Sequence, residues 1–284
     1  MKIRHAWLAA ALLAGWGAAG QAAAQGGFGP QELAIEKVRE GIYMIRSAAS
    51  GNITALVSDD GVLLVDSKFE REYDRYMELL RTVTDQPIRF VINTHMHGDH
   101  TGGNVRLEGL DADIVASENA RRRMAEAQAM GLPNITFDDH LRLYFGGQPL
   151  DLYWFGRGHT DGDIVIHMPE ENLILTGDLF AGWGPSIRLI DYNGGGSLRH
   201  WSDTLERVLE LEFDTVIPGH SGVTDRAMLK GYLDETVRMQ DLIRELSRAD
   251  RTPDEIATAV QEEFGRLAFV ILPNVQSAID ELKK

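Results

Sequence analysis

The chain has 284 residues, of which 44% are hydrophobic and 25% are charged, a composition typical of a globular protein with a sizeable core. Its formal net charge of −15 disfavours binding to nucleic acid or to an anionic membrane surface. The sequence contains no cysteine, which excludes disulfides, thiolate metal ligands and cysteine nucleophiles.

The first 24 residues have the three-part pattern of a secretory signal peptide. Lys2 and Arg4 precede an apolar run over residues 6–19, and three alanines at 22–24 offer a small-residue cleavage site. The run is too short for a good membrane span. We therefore expect residues 1–24 to be removed, leaving a periplasmic or secreted protein that has no membrane partner.

After a flexible lead-in over residues 25–35, the sequence predicts one domain over residues 36–284. Hydrophobic patterning predicts strands at 42–46, 53–57, 62–65, 88–93, 113–116, 141–145, 150–155, 164–168, 173–176 and 215–217. It predicts helices at about 68–84, 103–108, 117–129, 197–211, 225–247, 253–264 and 274–283. This order fits two half-sheets packed face to face with helices outside, followed by a helical extension over 225–284.

Histidines and acids cluster in short motifs that follow predicted strands. The motifs are His95-x-His97-x-Asp99-His100, Gly158-His159-Thr160, Gly177-Asp178-Leu179-Phe180 and Pro218-Gly219-His220. Side chains two apart near a strand end project to the same side, so His95 and His97 can converge on one metal ion. The adjacent Asp99 and His100 can reach a second ion close by. The whole set predicts a di-metal site.

The order and spacing of these motifs over about residues 36–222 resemble the metallo-β-lactamase superfamily. The resemblance implies an α/β fold, a four-layer αβ/βα sandwich with two Zn²⁺ ions at one edge of the two sheets. It also implies the ligands: His95, His97 and His159 for the first zinc, Asp99, His100 and His220 for the second, and Asp178 as a bridge between the two.

The implied chemistry is hydrolysis of a small-molecule substrate. Two adjacent Zn²⁺ ions lower the pKa of a shared water toward about 7, and the resulting hydroxide can attack an amide or ester carbonyl. One zinc would stabilise the oxyanion. Asp99 would also orient the nucleophile, and the sequence signals no serine nucleophile.

The ligand set and one loop point to different members of the superfamily. Asp178 stands where the di-zinc β-lactamases with a cysteine ligand have Cys, and together with His100 it makes the set resemble glyoxalase II and lactonases. Residues 191–205 are nevertheless similar to the Asn-bearing loop and following helix of those β-lactamases. Asn193 falls near the position of their substrate-binding Asn, although a turn residue before Gly194 is an equally good interpretation.

Other positions near this loop bear on the substrate. The lysine that holds the substrate carboxylate in those β-lactamases would fall near Ala181, so that contact is missing. Arg188 is either its substitute or a solvated charge. Trp183 and Tyr192 either form an apolar wall or pack within the fold.

The leading hypothesis is a periplasmic di-zinc hydrolase of amides or esters with weak β-lactamase activity. The alternatives are a glyoxalase II-like thioesterase or lactonase, and an iron-dependent persulfide dioxygenase or non-catalytic metal-binding protein. His140, His167 and His200 lie outside the motifs and are expected to have packing or surface roles. Nothing in the sequence predicts whether the chain is a monomer or an oligomer.

Overall fold

The computed structural model describes residues 33–47, 50–182, 189–265 and 275–283. The predicted signal peptide, Trp183 and Arg188 lie outside these described residues. Within the described ranges, no helix is both long enough and apolar enough to span a bilayer.

The first sheet has seven strands that follow one another in chain order. Its first four strands pair antiparallel, and the remaining strands add in parallel. The strands are β1 (Ala34–Arg39), β2 (Ile42–Arg46), β3 (Ile53–Ser58), β4 (Gly61–Val65), β5 (Ile88–Ile92), β6 (Asp113–Ser117) and β7 (Ile135–Phe137).

The second sheet has six strands. In chain order they are β8 (His140–Phe145), β9 (Gln148–Tyr153), β10 (Val165–Met168), β11 (Leu173–Gly177), β12 (Thr215–Pro218) and β13 (Thr224–Asp225). Their order across the sheet is β13-β12-β11-β10-β9-β8. Only β11 and β12 pair in parallel, and the other neighbouring pairs are antiparallel.

The helices lie between and after these strands. They are α1 (Tyr73–Leu80), α2 (Gly98–Thr101), α3 (Asn104–Glu108), α4 (Glu118–Glu126), α5 (Leu198–Val208), α6 (Arg226–Arg248), α7 (Pro253–Phe264) and α8 (Val275–Leu282). Short 3₁₀ turns occupy Glu70–Glu72, Pro169–Glu171 and Asp178–Phe180.

Alternation along the strands separates two faces of each sheet and so builds a layered core. Met44 of β2 faces the second sheet and packs in one cluster with Leu152 and Ile166. Its neighbour Ile45 faces the opposite way, into the cluster beneath α1. The outer face of the second sheet is covered by a further cluster from α5 to α8. The predicted four-layer αβ/βα sandwich with C-terminal helices is therefore confirmed.

Most predicted elements are present, and the differences have physical reasons. The predicted helix 68–84 is shorter, since Lys68 has a left-handed φ of +55° that no helix accommodates. The hairpin between β8 and β9 turns only at Gly146 and Gly147, whose φ values are +60° and +75°, so Gln148 belongs to the strand.

Three strands were not predicted. The sequence of β1 has no clean alternation, and its residues are half-buried or exposed. β7 and β13 have three and two residues, too few for a periodic signal.

The topology brings the loops that carry the motifs to one edge. β11 and β12 are parallel, so Asp178 and His220, which follow their carboxyl ends, emerge on the same side. His95 follows β5, a central strand of the first sheet. The backbone of Asn52, just before β3, donates to Gly219 O at 2.6 Å and so joins the two sheets at this edge.

Trp201 is the largest fully buried side chain of the described residues and anchors α5 to the loop after β11. Its indole Nε1 donates to Leu179 O at 2.9 Å.

We expect Trp201→Ala to lower the free energy of unfolding by about 3–5 kcal/mol through the cavity it leaves. Urea unfolding measures this loss. Met130→Ala, at a side chain 73% exposed, should change it by no more than about 0.5 kcal/mol, and equal effects would contradict the packing described.

Candidate metal centre

The structure brings all of the predicted ligand side chains together at the edge where the sheets meet. Their ligand atoms form three overlapping groups, within each of which the atoms lie no more than 4.8 Å apart. The groups are His95, His97 and His159; His95, His100 and Asp178; and Asp99, His100 and His220. The structure thus places His95 beside His97 and Asp99 beside His100, and their roles as metal ligands stay a prediction.

The first group is a cluster of three imidazole nitrogens. Nε2 of His95 lies 3.2 Å from Nδ1 of His97, and Nε2 of His159 lies 2.8 Å from the same Nδ1. Zinc–nitrogen bonds of about 2.0–2.1 Å in a tetrahedron separate the ligand nitrogens by roughly 3.3 Å. The observed separations are close to that value, so the three nitrogens can share one ion.

The second group pairs two imidazoles with a half-buried carboxylate. Oδ2 of Asp99 lies 3.6 Å from Nε2 of His100 and 3.5 Å from Nε2 of His220. Both histidine side chains are buried, whereas the Asp99 side chain is 23% exposed. The open side of this group is therefore next to Asp99.

Asp178 stands between the two groups. Its Oδ1 lies 3.4 Å from Nε2 of His100 and 3.3 Å from Nε2 of His220. Its Oδ2 lies 3.8 Å from Nε2 of His159, which belongs to the first group. One carboxylate oxygen thus faces each group, the arrangement that a bridging ligand requires.

Hydrogen bonds to neighbouring groups set the orientation of His95 and His100. Asp66 accepts from Thr94 Oγ1 at 2.8 Å and from His100 Nδ1 at 2.7 Å, both through Oδ2. Since the Thr94 hydroxyl donates its only proton to Asp66, its oxygen accepts from Nδ1 of His95 at 3.1 Å. In both rings Nδ1 is the outward donor, so Nε2 faces the centre, where it would offer a lone pair to a bound cation.

The rings of His97 and His159 are held in the same manner. Nε2 of His97 donates to Oδ2 of Asp191 at 2.8 Å, which leaves Nδ1 as the inward-facing atom. Nδ1 of His159 donates to the Leu189 carbonyl, which leaves its Nε2 facing inward. Histidine ligands of metals in proteins are oriented by such outer partners.

Buried polar atoms at the centre lack ordinary partners. Neither Nε2 of His100 nor Oδ1 of Asp178 makes a hydrogen bond with any described residue. A buried polar group without a partner is costly. A cation bound between them would give both atoms a partner. The donor atoms of the site are nitrogens and oxygens, a combination that suits Zn²⁺.

The electrostatics of the site favour positive charge between the carboxylates. Burial opposes charge on His100, but Asp178 and Asp66 outweigh it and raise its pKa well above the ordinary value. Burial would likewise raise the pKa of Asp178, but His100 and His220 hold it well below the usual range. Burial, together with neighbouring imidazoles, lowers the pKa of His95. The centre therefore combines an anionic Asp178 with a neutral His95.

Two glycines are required by close approach. A Cβ on Gly51 would collide with the His100 ring, and a Cβ on Gly219 would collide with Oδ1 of Asp178. Because backbone without side chains forms part of the wall, the ligands can be buried and still meet.

Lys68 and Asp66 are parts of the site that the sequence analysis missed. Lys68 is fully buried, and its ammonium group donates to Gly51 O at 2.5 Å and to Ser50 Oγ at 3.2 Å. Ser50 Oγ in turn donates to Glu72 at 2.9 Å. Lys68 thus supports the backbone that contacts His100. Both residues follow β4 directly, and the strand end is the one sequence signal that could have drawn attention to them.

Asn193 lies in the loop that carries Asp191. Its side chain is exposed, and its main-chain carbonyl accepts from Arg123 at 3.3 Å. The hydroxyl of Tyr192 donates to Glu281 at 3.2 Å, and its ring packs against the helical layer. Ala181 is buried, and its carbonyl accepts from the backbone of His220 at 2.9 Å. The substrate-binding role suggested for Asn193 stays a prediction.

The other histidines have structural partners. His140 pairs with Asp151 at 2.9 Å, and Nε2 of His167 donates to Glu212 O at 2.9 Å. His200 is exposed on α5. Among the described residues, none of the three belongs to the ligand groups.

The geometry agrees with what the chain resembles. Residues 46–220 match the family model of the metallo-beta-lactamase superfamily, and the chain belongs to this superfamily. Its members are hydrolases of small molecules that bind metal ions, typically zinc.

Two curated relatives are both named metallo-beta-lactamase type 2. The protein from Bacillus cereus is 28% identical over 199 residues, which cover 68% of this chain and 75% of that protein. The protein from Bacillus sp. (strain 170) is 26% identical over 199 residues, with the same coverage of 68% and 75%. The solved metallo-beta-lactamase from Pontibacter korlensis has a TM-score of 0.66 and 21% identity, over 72% of this chain and 99% of that one, which shows a shared fold.

Burial of Lys68 predicts a pH dependence of stability. Desolvation lowers the pKa of its ammonium group from 10.5 to about 8 in the folded chain. Between about pH 8 and 10.5 the unfolded chain therefore holds a proton that the folded chain has released, so this lysine makes stability rise with pH across that window, by at most about 1.4 kcal/mol per unit. Urea unfolding of metal-free protein at several pH values measures this slope.

The matched variants are Lys68→Met and Lys230→Met. Lys230 is exposed and pairs with Asp234 on α6, so its loss should leave the slope in place. Lys68→Met should abolish it. A slope that survives in Lys68→Met would contradict this account of the buried lysine.

Proposed function

We propose that this chain is a di-zinc hydrolase that opens the amide bond of β-lactams. One observation carries the proposal. Four histidines each donate one ring N–H to an outer partner and turn the other ring nitrogen inward, onto a buried carboxylate or onto one another. Inward lone pairs in such numbers need a cation.

In this proposal the groups described above would hold two ions. His95, His97 and His159 would hold the first, and Asp99, His100 and His220 would hold the second, with Asp178 between them. When bound, two Zn²⁺ ions would supply an activated water for attack and an electrophile for the carbonyl oxygen of the substrate.

The chain's own residues orient and protect this chemistry. The Asp99 side chain is more exposed than that of Asp178, and its Oδ2 faces His100 and His220 at 3.6 and 3.5 Å. Its Oδ1 would accept a hydrogen bond from the attacking water, take up its proton and deliver that proton to the substrate nitrogen as the C–N bond breaks. Asp66 and Asp191 hold His100 and His97 in the tautomers needed. Asp178 is buried, so its carboxylate is shielded from bulk water.

The substrate class rests on the relatives and on one loop. Both curated relatives are named as β-lactamases. The loop that carries Asn193 contacts the centre through Asp191 and His97, which would place an exposed amide beside a bound substrate. Asp178 in place of a cysteine, and Ala181 in place of a lysine, favour as second candidate a thioester or lactone hydrolase.

The test is turnover of nitrocefin and imipenem by the zinc-loaded chain. We expect measurable hydrolysis that chelator abolishes, and a loss of about 100-fold or more in kcat/KM for Asp178→Ala, because each ligand group loses the carboxylate oxygen that faces it. Asp203→Ala, at an exposed acid on α5, is the matched control and should keep wild-type turnover.

Other outcomes separate the alternatives. Turnover of S-lactoylglutathione or a lactone without β-lactam turnover would replace the proposed substrate by the second candidate. One iron per chain on metal analysis would favour the dioxygenase alternative. β-Lactam turnover equal in Asp178→Ala and wild type would contradict the assignment of the site.

We also propose that the protein is exported. The support is the positive start, apolar run and small residues of the first 24 positions. Expression of the full chain in a Gram-negative host should yield a periplasmic protein whose N-terminus, read by mass spectrometry, is Gln25. Retention in the cytoplasm with Met1 intact would overturn this proposal.

A further inference from the structure

We propose that the C-terminal helix is part of the support of the metal centre. In this proposal Glu281 is a positioning residue that holds the loop over residues 191–197, and this loop orients His97. The inference rests on the metal centre proposed above. Glu281 lies beyond residues 46–220, to which the superfamily match extends.

Glu281 contacts both ends of this loop. Its Oε2 accepts from Tyr192 OH at 3.2 Å, and its Oε1 accepts from Ser197 Oγ. Oε2 also accepts from the backbone N–H of Arg199 at 3.2 Å. One carboxylate therefore joins residues near the beginning, at the end and just after the loop.

These contacts complete the N-terminus of α5. Ser197 is the N-cap, and its Oγ accepts from the backbone of His200 at 3.1 Å while donating to Glu281. The N–H of Arg199 is one of the first-turn donors that have no partner within the helix, and Glu281 supplies one. A carboxylate at a helix N-terminus is also favoured by the helix dipole.

The loop connects these contacts to the centre. Oδ2 of Asp191 accepts from Nε2 of His97 at 2.8 Å, and the Asp191 backbone donates to His159 O at 2.9 Å. The backbone of Ser197 donates to Gly158 O at 2.8 Å. The loop thus touches the side chain of one proposed ligand of the first ion and the backbone of another.

The helix that carries Glu281 is well anchored. Val275, Ala278 and Ile279 of α8 are 4%, 1% and 3% exposed, and they belong to the cluster shared by α5, α6 and α7. Arg157 also holds the loop, since it donates to the carbonyls of Gly195 and Gly196 at 2.6 and 3.1 Å. Loss of the Glu281 carboxylate should therefore loosen the loop without unfolding it.

The test compares Glu281→Gln with Asp280→Asn in the full chain loaded with Co²⁺. Both variants remove one negative charge from neighbouring positions of α8, but Asp280 is exposed and accepts only from Gln276 among the described residues. The measurements are the rate of Co²⁺ loss to excess chelator and the visible absorption of the bound Co²⁺. We expect Glu281→Gln to lose metal about 3- to 10-fold faster with an altered spectrum, and Asp280→Asn to behave as wild type.

A double variant tests whether Glu281 acts through Asp191. If it does, Asp191→Asn combined with Glu281→Gln should lose metal no faster than Asp191→Asn alone. Tyr192→Phe, which removes only one donor to Glu281, should change the rate in the same direction by a smaller factor. Circular dichroism verifies that each variant is folded.

Metal loss from Glu281→Gln that equals that from Asp280→Asn would overturn the proposal, as would additive effects in the double variant. These measurements use no substrate. A chain that binds Co²⁺ but leaves β-lactams intact would therefore overturn the proposed substrate and leave this inference supported or refuted by its own data. A wild-type chain that binds no Co²⁺ would overturn the proposed metal centre and this inference together.

Discussion

The structure depends on imidazole nitrogens and carboxylate oxygens that meet, buried, with their lone pairs turned toward one another. Lone pairs that face one another repel, and burial prevents each of them from accepting a hydrogen bond from water instead. His100 shows the consequence, since burial would lower its pKa but Asp178 and Asp66 raise it. The protein thus creates a place where positive charge is favoured, and a proton or a metal ion can supply that charge. The outer hydrogen bonds of the histidines leave their inward nitrogens free for the metal.

Strands of both sheets deliver the site residues to this edge. Parallel pairing of β11 and β12 delivers Asp178 and His220 side by side, while β5 in the other sheet delivers the first motif. Close approach is possible because Gly51 and Gly219 leave room that any side chain would fill. Buried Lys68 then supports the backbone of Gly51, at the cost of a desolvated ammonium group. Charge and packing at the centre are therefore coupled.

Much of this could be predicted from local sequence, and some of it could not. The order of strands and helices fitted two packed half-sheets, and the resemblance to the metallo-β-lactamase superfamily implied the four-layer sandwich. The site residues were found from the His-x-His spacing and from the acids and histidines after strand ends, and the same resemblance implied their roles as ligands. Asp66 and Lys68 could not be predicted as site residues, because two polar residues after a strand are typical of a solvated loop. Only their left-handed backbone conformations turn these side chains inward. The contacts of Glu281 could not be predicted either, because 84 residues separate it from Ser197 and no local pattern indicates such a pairing. Burial and long-range contact, not residue type, gave these groups their roles.

The central claim is that these side chains enclose two zinc ions, and anomalous diffraction at the zinc absorption edge tests it most directly. Crystals of zinc-loaded protein should give two strong anomalous peaks per chain. One peak should lie among the nitrogens of His95, His97 and His159, and the other beside Asp99, with Asp178 between them. Peaks elsewhere on the surface, or no peak at this edge of the sheets in protein that retains full hydrolytic activity, would contradict the account.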